Sequence, residues 1–319
     1  MQQFPDESGR SEEVQRKLVE AFDFAEALLN FWLRHDKNGH YARSNLPRQC
    51  LILAIGLDVQ GCRLFRSVID DCRRCEAYTA SILARSLYET VLGTAFVLAK
   101  RVHIVVEPVM SGGKPKVTPE GAVMYCAKLP YKAAGKTPKN WLSRDLRGKL
   151  YLAHSYFENE ETAIERLGRI PGQKRNMKKA KKSIDPTLAI DYEKAIGPEW
   201  TYILRNHRSY SGLSVANLAK VLHRQLHLWY ETVYYFQSRD AHGSDALRHV
   251  DNTEDTVTAV YLSSDWEVYQ ALRTAIGMFF ANMHILHENI GFGSGVDSGF
   301  HSLKRKFKQL SFEKVATAV

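Results

Sequence analysis

Cysteine is scarce in this chain of 319 residues, and its five copies make an odd number. Cys50, Cys62, Cys72, Cys75 and Cys126 therefore argue against a disulfide framework and for reduced thiols in a cytoplasmic protein. Long apolar runs are also missing: no stretch of eighteen apolar residues occurs, so no membrane span is expected. The opening residues, MQQFPDESGRSEEVQRK, lack the apolar centre of a secretory signal. Several chemical signatures are absent as well. There is no G-x-x-x-x-G-K-[ST], no strand-borne G-x-G-x-x-G and no G-x-S-x-G, so neither a phosphate cradle nor a nucleophile turn is evident. GFGSG at 291–295 has glycines but no preceding strand. Neither H-E-x-x-H nor the Glu-x-x-His of diiron bundles is present. Cys72 and Cys75 form a single C-x-x-C without the second pair that a structural zinc site needs. Three histidine groups remain: His284 and His287, with Glu288 adjacent, share a helix face and could bind a metal; His223 and His227 stand four apart with no carboxylate between them; His242, Asp245, His249 and Asp251 have a spacing that fits no standard site. Each is read as packed or solvent-facing histidine, so no metal and no cofactor is expected.

What is present is a chain of 45% hydrophobic content, enough to bury a substantial core. Its net charge of +9 is concentrated. Between Arg166 and Lys182 stand Arg166, Arg169, Lys174, Arg175, Lys178, Lys179, Lys181 and Lys182 with no acid among them, which leaves the remainder nearly neutral. A patch of that density attracts a polyanion such as RNA. A solvated loop offset by Glu158, Glu160, Glu161 and Glu165 is the plainer account.

Apolar residues recur at helical spacing through most of the chain. Helices are predicted over 11–35 with Ser11 as N-cap, over 48–101 as two helices or one bent one, and over 141–167. Further helices are predicted over 186–196, 200–208, 215–242 with Ser214 as cap, and 265–289. Residues 102–140 break the pattern with HIVVEPV and then repeated glycine and proline, an irregular, turn-rich insertion with a short β hairpin. The expected fold is all-α, a helical bundle forming one domain over 1–290 that includes this insertion and the basic segment 166–182. Residues 291–319, with Lys304, Arg305, Lys306 and Lys308, read as a flexible basic tail.

Two polar constellations interrupt the apolar pattern. Tyr230, Tyr234, Ser238 and His242 fall at intervals of four before Gly243, so one continuous helix would carry them as a single stripe with His242 in its last turn. The carbonyls of that turn would favour a protonated imidazole. Arg85 and Glu89 stand four apart in a helix apolar on nearly all sides, AYTASILARSLYETVLGTAFVLAK, which implies burial. A buried ion pair costs desolvation that its own attraction need not return. A partner is therefore sought, and the stripe supplies one. The cluster is either a polar clamp fixing helix register or a reactive centre.

R-S-L-Y-E-T at 85–90 and Y-F-Q-S-R-D-A-H-G-S at 235–244 resemble a family of bacterial helical proteins catalogued only as a domain of unknown function. Its pattern is Arg-x-x-x-Glu on one helix, then Tyr-x-x-x-Ser-x-x-x-His-Gly/Pro-Ser at the end of another. Arg85, Glu89, Tyr234, Ser238, His242 and Ser244 match it, and Trp200 stands where the family tends to have a tryptophan. The resemblance covers roughly 48–101 and 199–250. That family is in turn similar to HEPN domains, which include metal-independent ribonucleases of toxin and phage-defence systems. Those carry Arg-x(4–6)-His, whose histidine does acid–base work while the arginine steadies phosphate. This chain departs from that spacing, because the arginine nearest His242 is Arg239. Arg34/His40 and Arg147/His154 have the spacing, as chance alone would provide.

Two functions follow as expectations. One is a binding or regulatory module with a buried Arg85/Glu89/Ser238/His242 centre, whose basic residues Lys174, Arg175, Lys178, Lys179, Lys181 and Lys182 meet RNA or another polyanion. The alternative, if the chain is an enzyme, is a HEPN-like ribonuclease. There His242 would be the acid–base residue, Arg239 or Arg85 the phosphate stabiliser, and Ser238, Tyr234 and Glu89 its neighbours. A homodimer and no membrane contact are expected in either case.

Overall fold

The computed structural model describes residues 7–36, 46–99, 101–107, 116–123, 141–158, 164, 166, 169–173, 175–176, 186–207, 209–234, 250–252, 257–259, 263–292 and 294–310. The fold is all-α in its main elements, with a small sheet in the expected insertion. The chain divides into two compact units rather than the single domain expected over 1–290: residues 1–45, 54–95 and 224–319 form one, and 46–53 with 96–223 the other.

The first unit is helical. It contains α1 (Glu7–Asp36), most of α2 (Arg48–Arg73) and most of α3 (Ala77–Leu98). It also holds α8 (Arg224–Trp229), a π-helical turn (Tyr230–Tyr234), α9 (Asp265–Ile290) and α10 (Ser294–Gln309). Helix α1 starts before Ser11, which therefore lies inside the helix and is not its cap. Helix α9 starts at a full capping box: the Ser264 hydroxyl accepts from the Glu267 amide, and the Glu267 carboxylate accepts from the Ser264 amide. Phe65 and Phe279 stack with centroids 4.5 Å apart, and Phe280 lies on Phe307 at 4.3 Å. A buried polar node ties three helices: Trp32 Nε1 donates to Asp58 Oδ2 at 2.7 Å and Asn282 Nδ2 to Oδ1 at 3.3 Å. Helix α3 is long and apolar enough to be a candidate span, and 67% of its most apolar stretch is buried in the fold.

The flexible tail expected from 291 onward is corrected in its first half. Val296, Phe300 and Phe307 recur at helical spacing and are buried, while Arg305, Lys306 and Lys308 are exposed. They make α10 an amphipathic helix that packs on α1. Residues 311–319 lie outside the described residues.

The second unit is built around a three-stranded sheet of order β2-β1-β3, from β1 (Arg101–Glu107), β2 (Lys116–Val123) and β3 (Trp141–Leu142). Strands β1 and β2 pair antiparallel, as the hairpin reading of the insertion expected. The register shifts between His103 and Ile104, beside Pro119, which cannot donate to the ladder. Around the sheet are α4 (Arg144–Tyr156), α5 (Pro186–Ile196), α6 (Pro198–His207) and α7 (Val215–Leu222), with α7 packed on β1 and β2. Ser143 and Ser214 are N-caps, each accepting from the amide three residues on. A two-stranded ladder, β4 (Val250–Asn252) with β5 (Val257–Ala259), belongs to the first unit.

The long helix expected over 215–242 is not continuous. Helix α7 ends at Leu222, His223 has extended backbone (φ −165°, ψ 142°), and α8 restarts at Arg224. Helix α8 then widens into the π turn at Tyr230. The cause of the widening is on the neighbouring helix. Tyr88, fully buried in α3, donates its hydroxyl to the Leu226 carbonyl at 2.6 Å. An outside donor inserted at a ladder carbonyl is one of the recognised ways a helix departs from four-residue spacing.

The C-terminal end of α3, in the second unit, is closed by imported charge. Its last turn contains no basic residue. Arg147, completely buried, donates to the Phe96 carbonyl at 2.6 Å and to the Ala99 carbonyl. Arg144 donates to the Leu98 carbonyl at 2.8 Å. Two guanidinium groups thus satisfy carbonyls that the helix leaves unpaired and sit at the negative end of its dipole.

Candidate functional site

The site that the fold assembles lies between α3 and the π turn. Arg85 and Glu89 leave α3 one turn apart, and Tyr234 closes the turn opposite them. The Tyr234 hydroxyl donates to Glu89 Oε1 at 2.8 Å, and Arg85 donates to the same hydroxyl at 3.1 Å. Arg85 Nε stands 3.6 Å from Glu89 Oε1, so the three groups form a closed ring of contacts. The guanidinium carbon is 4.8 Å from the centroid of the Tyr234 ring, which adds a cation–π contact. Tyr230 stacks on Tyr234 at 5.3 Å, and Tyr88 packs against Tyr234 at the same centroid distance of 5.3 Å.

The expectation that Arg85 and Glu89 are buried is corrected. Their side chains are 25% and 49% exposed, although α3 is apolar around them. Tyr234 is the buried member, at 7%. The pair thus keeps water on one side, which removes most of the desolvation cost that made a buried ion pair expensive. Burial first, and then the bond to Glu89, push the Tyr234 phenol up to about 12, with Arg85 acting in the opposite direction. Tyr234 is therefore neutral over the physiological range, with its hydrogen committed to Glu89 and its oxygen to Arg85. Burial, followed by neighbouring Tyr234, raises Tyr88 above the ordinary phenol range as well. Neither phenol is prepared to act as a base near neutral pH.

Of the residues singled out from the sequence, Arg85, Glu89 and Tyr234 are brought together. Ser238, Arg239 and His242 lie outside the described residues, and so does the solvent access of His242. In the basic segment Arg166, Arg169 and Arg175 are exposed, and Arg166 pairs with Glu158 at 3.3 Å. Lys174, Lys178, Lys179, Lys181 and Lys182 lie outside the described residues.

The Arg147/His154 spacing has a structural explanation. Arg147 is spent on the carbonyls of α3, and His154 packs edge-on against Tyr210 at 6.0 Å. Arg34/His40 is undecided because His40 lies outside the described residues. In the C-x-x-C pair, Cys72 is buried and its thiol is pushed up to about 12, chiefly by burial and then by Asp71. Its thiol contacts the Val268 carbonyl at 3.8 Å. What the sequence did not reveal is the role of Arg144 and Arg147. The only signal was negative: α3 ends without a basic residue of its own.

No curated protein and no solved structure matches the chain. A family model does, over residues 51–257, which is more than half the sequence and includes Arg85, Glu89, Tyr234 and the positions of Ser238 and His242. That span is wider than the two stretches of resemblance, for it runs through the insertion and the basic segment. The chain therefore belongs to the Family of unknown function (DUF5677).

Proposed function

We propose that the chain is a non-catalytic binding or regulatory module. In this reading Arg85, Glu89 and Tyr234 clamp the π turn to α3, and the basic segment 166–182 engages RNA or another polyanion. The observation that carries the clamp is the saturation of the Tyr234 hydroxyl, which donates to Glu89 at 2.8 Å and accepts from Arg85 at 3.1 Å. A group whose proton and lone pair are both committed within the protein, and which is neutral at physiological pH, serves architecture better than proton transfer. The polyanion half rests on charge density: eight basic residues and no acid over 166–182, with Arg166, Arg169 and Arg175 exposed. A cytoplasmic location and a homodimer go with this reading.

The test is binding of single-stranded RNA at several salt concentrations. Reversing the charges of Lys174, Arg175, Lys178, Lys179, Lys181 and Lys182 should weaken binding and flatten its salt dependence. Each phosphate that the variant no longer neutralises takes about 0.7 off the slope of log K against log salt. Unchanged affinity would reduce the segment to solvating surface and end the polyanion reading. The competing reading is a HEPN-like, metal-independent ribonuclease of stress or phage defence. RNA cleavage in chelator that disappears in His242→Ala would establish it in place of the module.

A further inference from the structure

At the C-terminal end of α9, His284, His287 and Glu288 stand at positions i, i+3 and i+4 and so share one helix face. From their spacing alone these histidines read as packed or solvent-facing. Their geometry is more specific than that. One atom from each side chain converges, all within 4.8 Å of one another. Both Nδ1 atoms lie 3.8 Å from the same Glu288 Oε1. That is too long for a hydrogen bond. It is close to the separation of two ligands on one ion, since bonds of about 2.0–2.2 Å at a tetrahedral angle set ligand atoms roughly 3.4 Å apart.

Asp297 in α10 defines the state of His287. Its Oδ1 lies 3.0 Å from Nε2, and a carboxylate can only accept, so Nε2 carries the hydrogen. In the neutral ring Nδ1 is then a bare lone pair. That atom is buried, takes no hydrogen bond, and faces a carboxylate oxygen that is also an acceptor. Two acceptors in this relation repel unless a positive centre stands between them. A carboxylate behind the distal nitrogen of an imidazole is the common outer support of a metal-ligating histidine.

The surroundings hold the rings in place. His287 packs against Phe300 at 4.8 Å and Phe292 at 5.2 Å, with His301 edge-on at 5.7 Å, and His284 lies 6.3 Å from Phe300. His284 stands 3.8 Å from Glu288, and Lys304 also acts on it. The carbonyl end of α9 adds negative potential. Lys304 is the opposing charge. The Glu288 side chain is 42% exposed against 14% and 15% for the histidines, so the carboxylate is the water-facing member of the cluster.

We propose that His284, His287 and Glu288 bind a divalent transition-metal ion of the zinc class, with Asp297 as the outer positioning residue and water completing the coordination. Two imidazole nitrogens and one carboxylate oxygen suit such an ion, whereas calcium and magnesium require oxygen donors throughout. The cluster lies outside the 51–257 span of the family model, and it is independent of the clamp and of the basic segment.

The test uses the full chain, stripped with chelator, kept reduced, and titrated with Zn2+, with Co2+ as the coloured probe. One equivalent should bind, and the Co2+ spectrum should show nitrogen and oxygen ligation without a thiolate charge-transfer band. Asp297→Asn should weaken binding 10–100-fold, and Glu288→Gln by at least as much. His287→Ala should abolish it, and Lys304→Ala should tighten it. Circular dichroism confirms the fold of each variant. Should His287→Ala unfold, the half-exposed Glu288→Gln decides the matter. No binding by the parent chain at 100-fold excess metal, or equal binding by parent and Glu288→Gln, would overturn the proposal.

Discussion

Removing a single oxygen tests the clamp. Tyr234→Phe keeps the ring, and with it the contacts to Tyr88 and Tyr230 at 5.3 Å each, while deleting the hydroxyl that joins Glu89 and Arg85. A hydrogen bond to a charged group contributes roughly 1.5–3 kcal/mol when fully sheltered. Glu89 is 49% exposed and Arg85 25%, so water replaces part of what the phenol supplied, and the two charges still face each other at 3.6 Å. The loss is therefore expected at about 1–2 kcal/mol, nearer the value of ordinary hydrogen bonds. Urea unfolding midpoints of the parent, Tyr234→Phe, Glu89→Gln and the double variant give the coupling directly, expected at about 0.5–1 kcal/mol in favour of the pair. The phenol, raised by burial first and then by its bond to Glu89, has a pH signature as well. An unfolded phenol titrates near 10, whereas Tyr234 in the fold titrates at about 12. A raised acid contributes stability that is complete below pH 10 and lost as pH climbs through 12. The stability gap between parent and Tyr234→Phe should thus shrink over that window. A Phe variant as stable as the parent at pH 7, with zero coupling to Glu89, would refute the clamp.

Two further substitutions test what the fold imported from a distance. Arg147→Met should destabilise by about 2–4 kcal/mol, because it strands the buried Phe96 carbonyl and leaves the Ala99 carbonyl only the 3.4 Å contact from Arg144 Nε. Arg147→Lys should not restore the loss, since one ammonium cannot reproduce the fork of donors; a change below about 1 kcal/mol in the Met variant would contradict the capping role. Cys72, buried with its thiol raised to about 12, should resist iodoacetamide at pH 8 in the native protein and react once urea unfolds it. Peptide mapping by mass spectrometry reads the site, and rapid native labelling would show that the thiol is accessible.

The helices were legible because each one buries a face, and burial writes its period into the chain. Ser214 and Ser143 cap as their side chains dictate, and the hairpin at β1 and β2 follows from the shift to β-branched residues. Helix α10 is written in Val296, Phe300 and Phe307, although glycines at 291, 293 and 295 precede that spacing and read as a linker. Other features were illegible for physical reasons. That Arg144 and Arg147 close α3 depends on carbonyls some forty-five to fifty residues earlier. The exposure of Arg85 and Glu89 depends on where neighbouring helices stop, which local composition does not encode. The convergence of His284, His287 and Glu288 was visible as spacing, but Asp297 behind His287 came only with the turn into α10.

The π turn changes what the interval of four between Tyr230 and Tyr234 means. In a regular helix each residue advances about 100°, so residues four apart nearly superimpose. A turn with five-residue bonding is wider and takes in one additional residue. Tyr230 and Tyr234 sit within the wide turn and remain stacked. Ser238 and His242, which would continue the stripe, lie outside the described residues. The feature that widens the helix is the Tyr88 hydroxyl on the Leu226 carbonyl, donated from the same turn of α3 that carries Arg85 and Glu89. Tyr88 lies between the members of the clamp in sequence and packs against Tyr234. One stretch of α3, Arg85 to Glu89, therefore both opens the facing helix and holds the opened turn in place. That division of labour gives the polar pair an architectural role within an apolar helix.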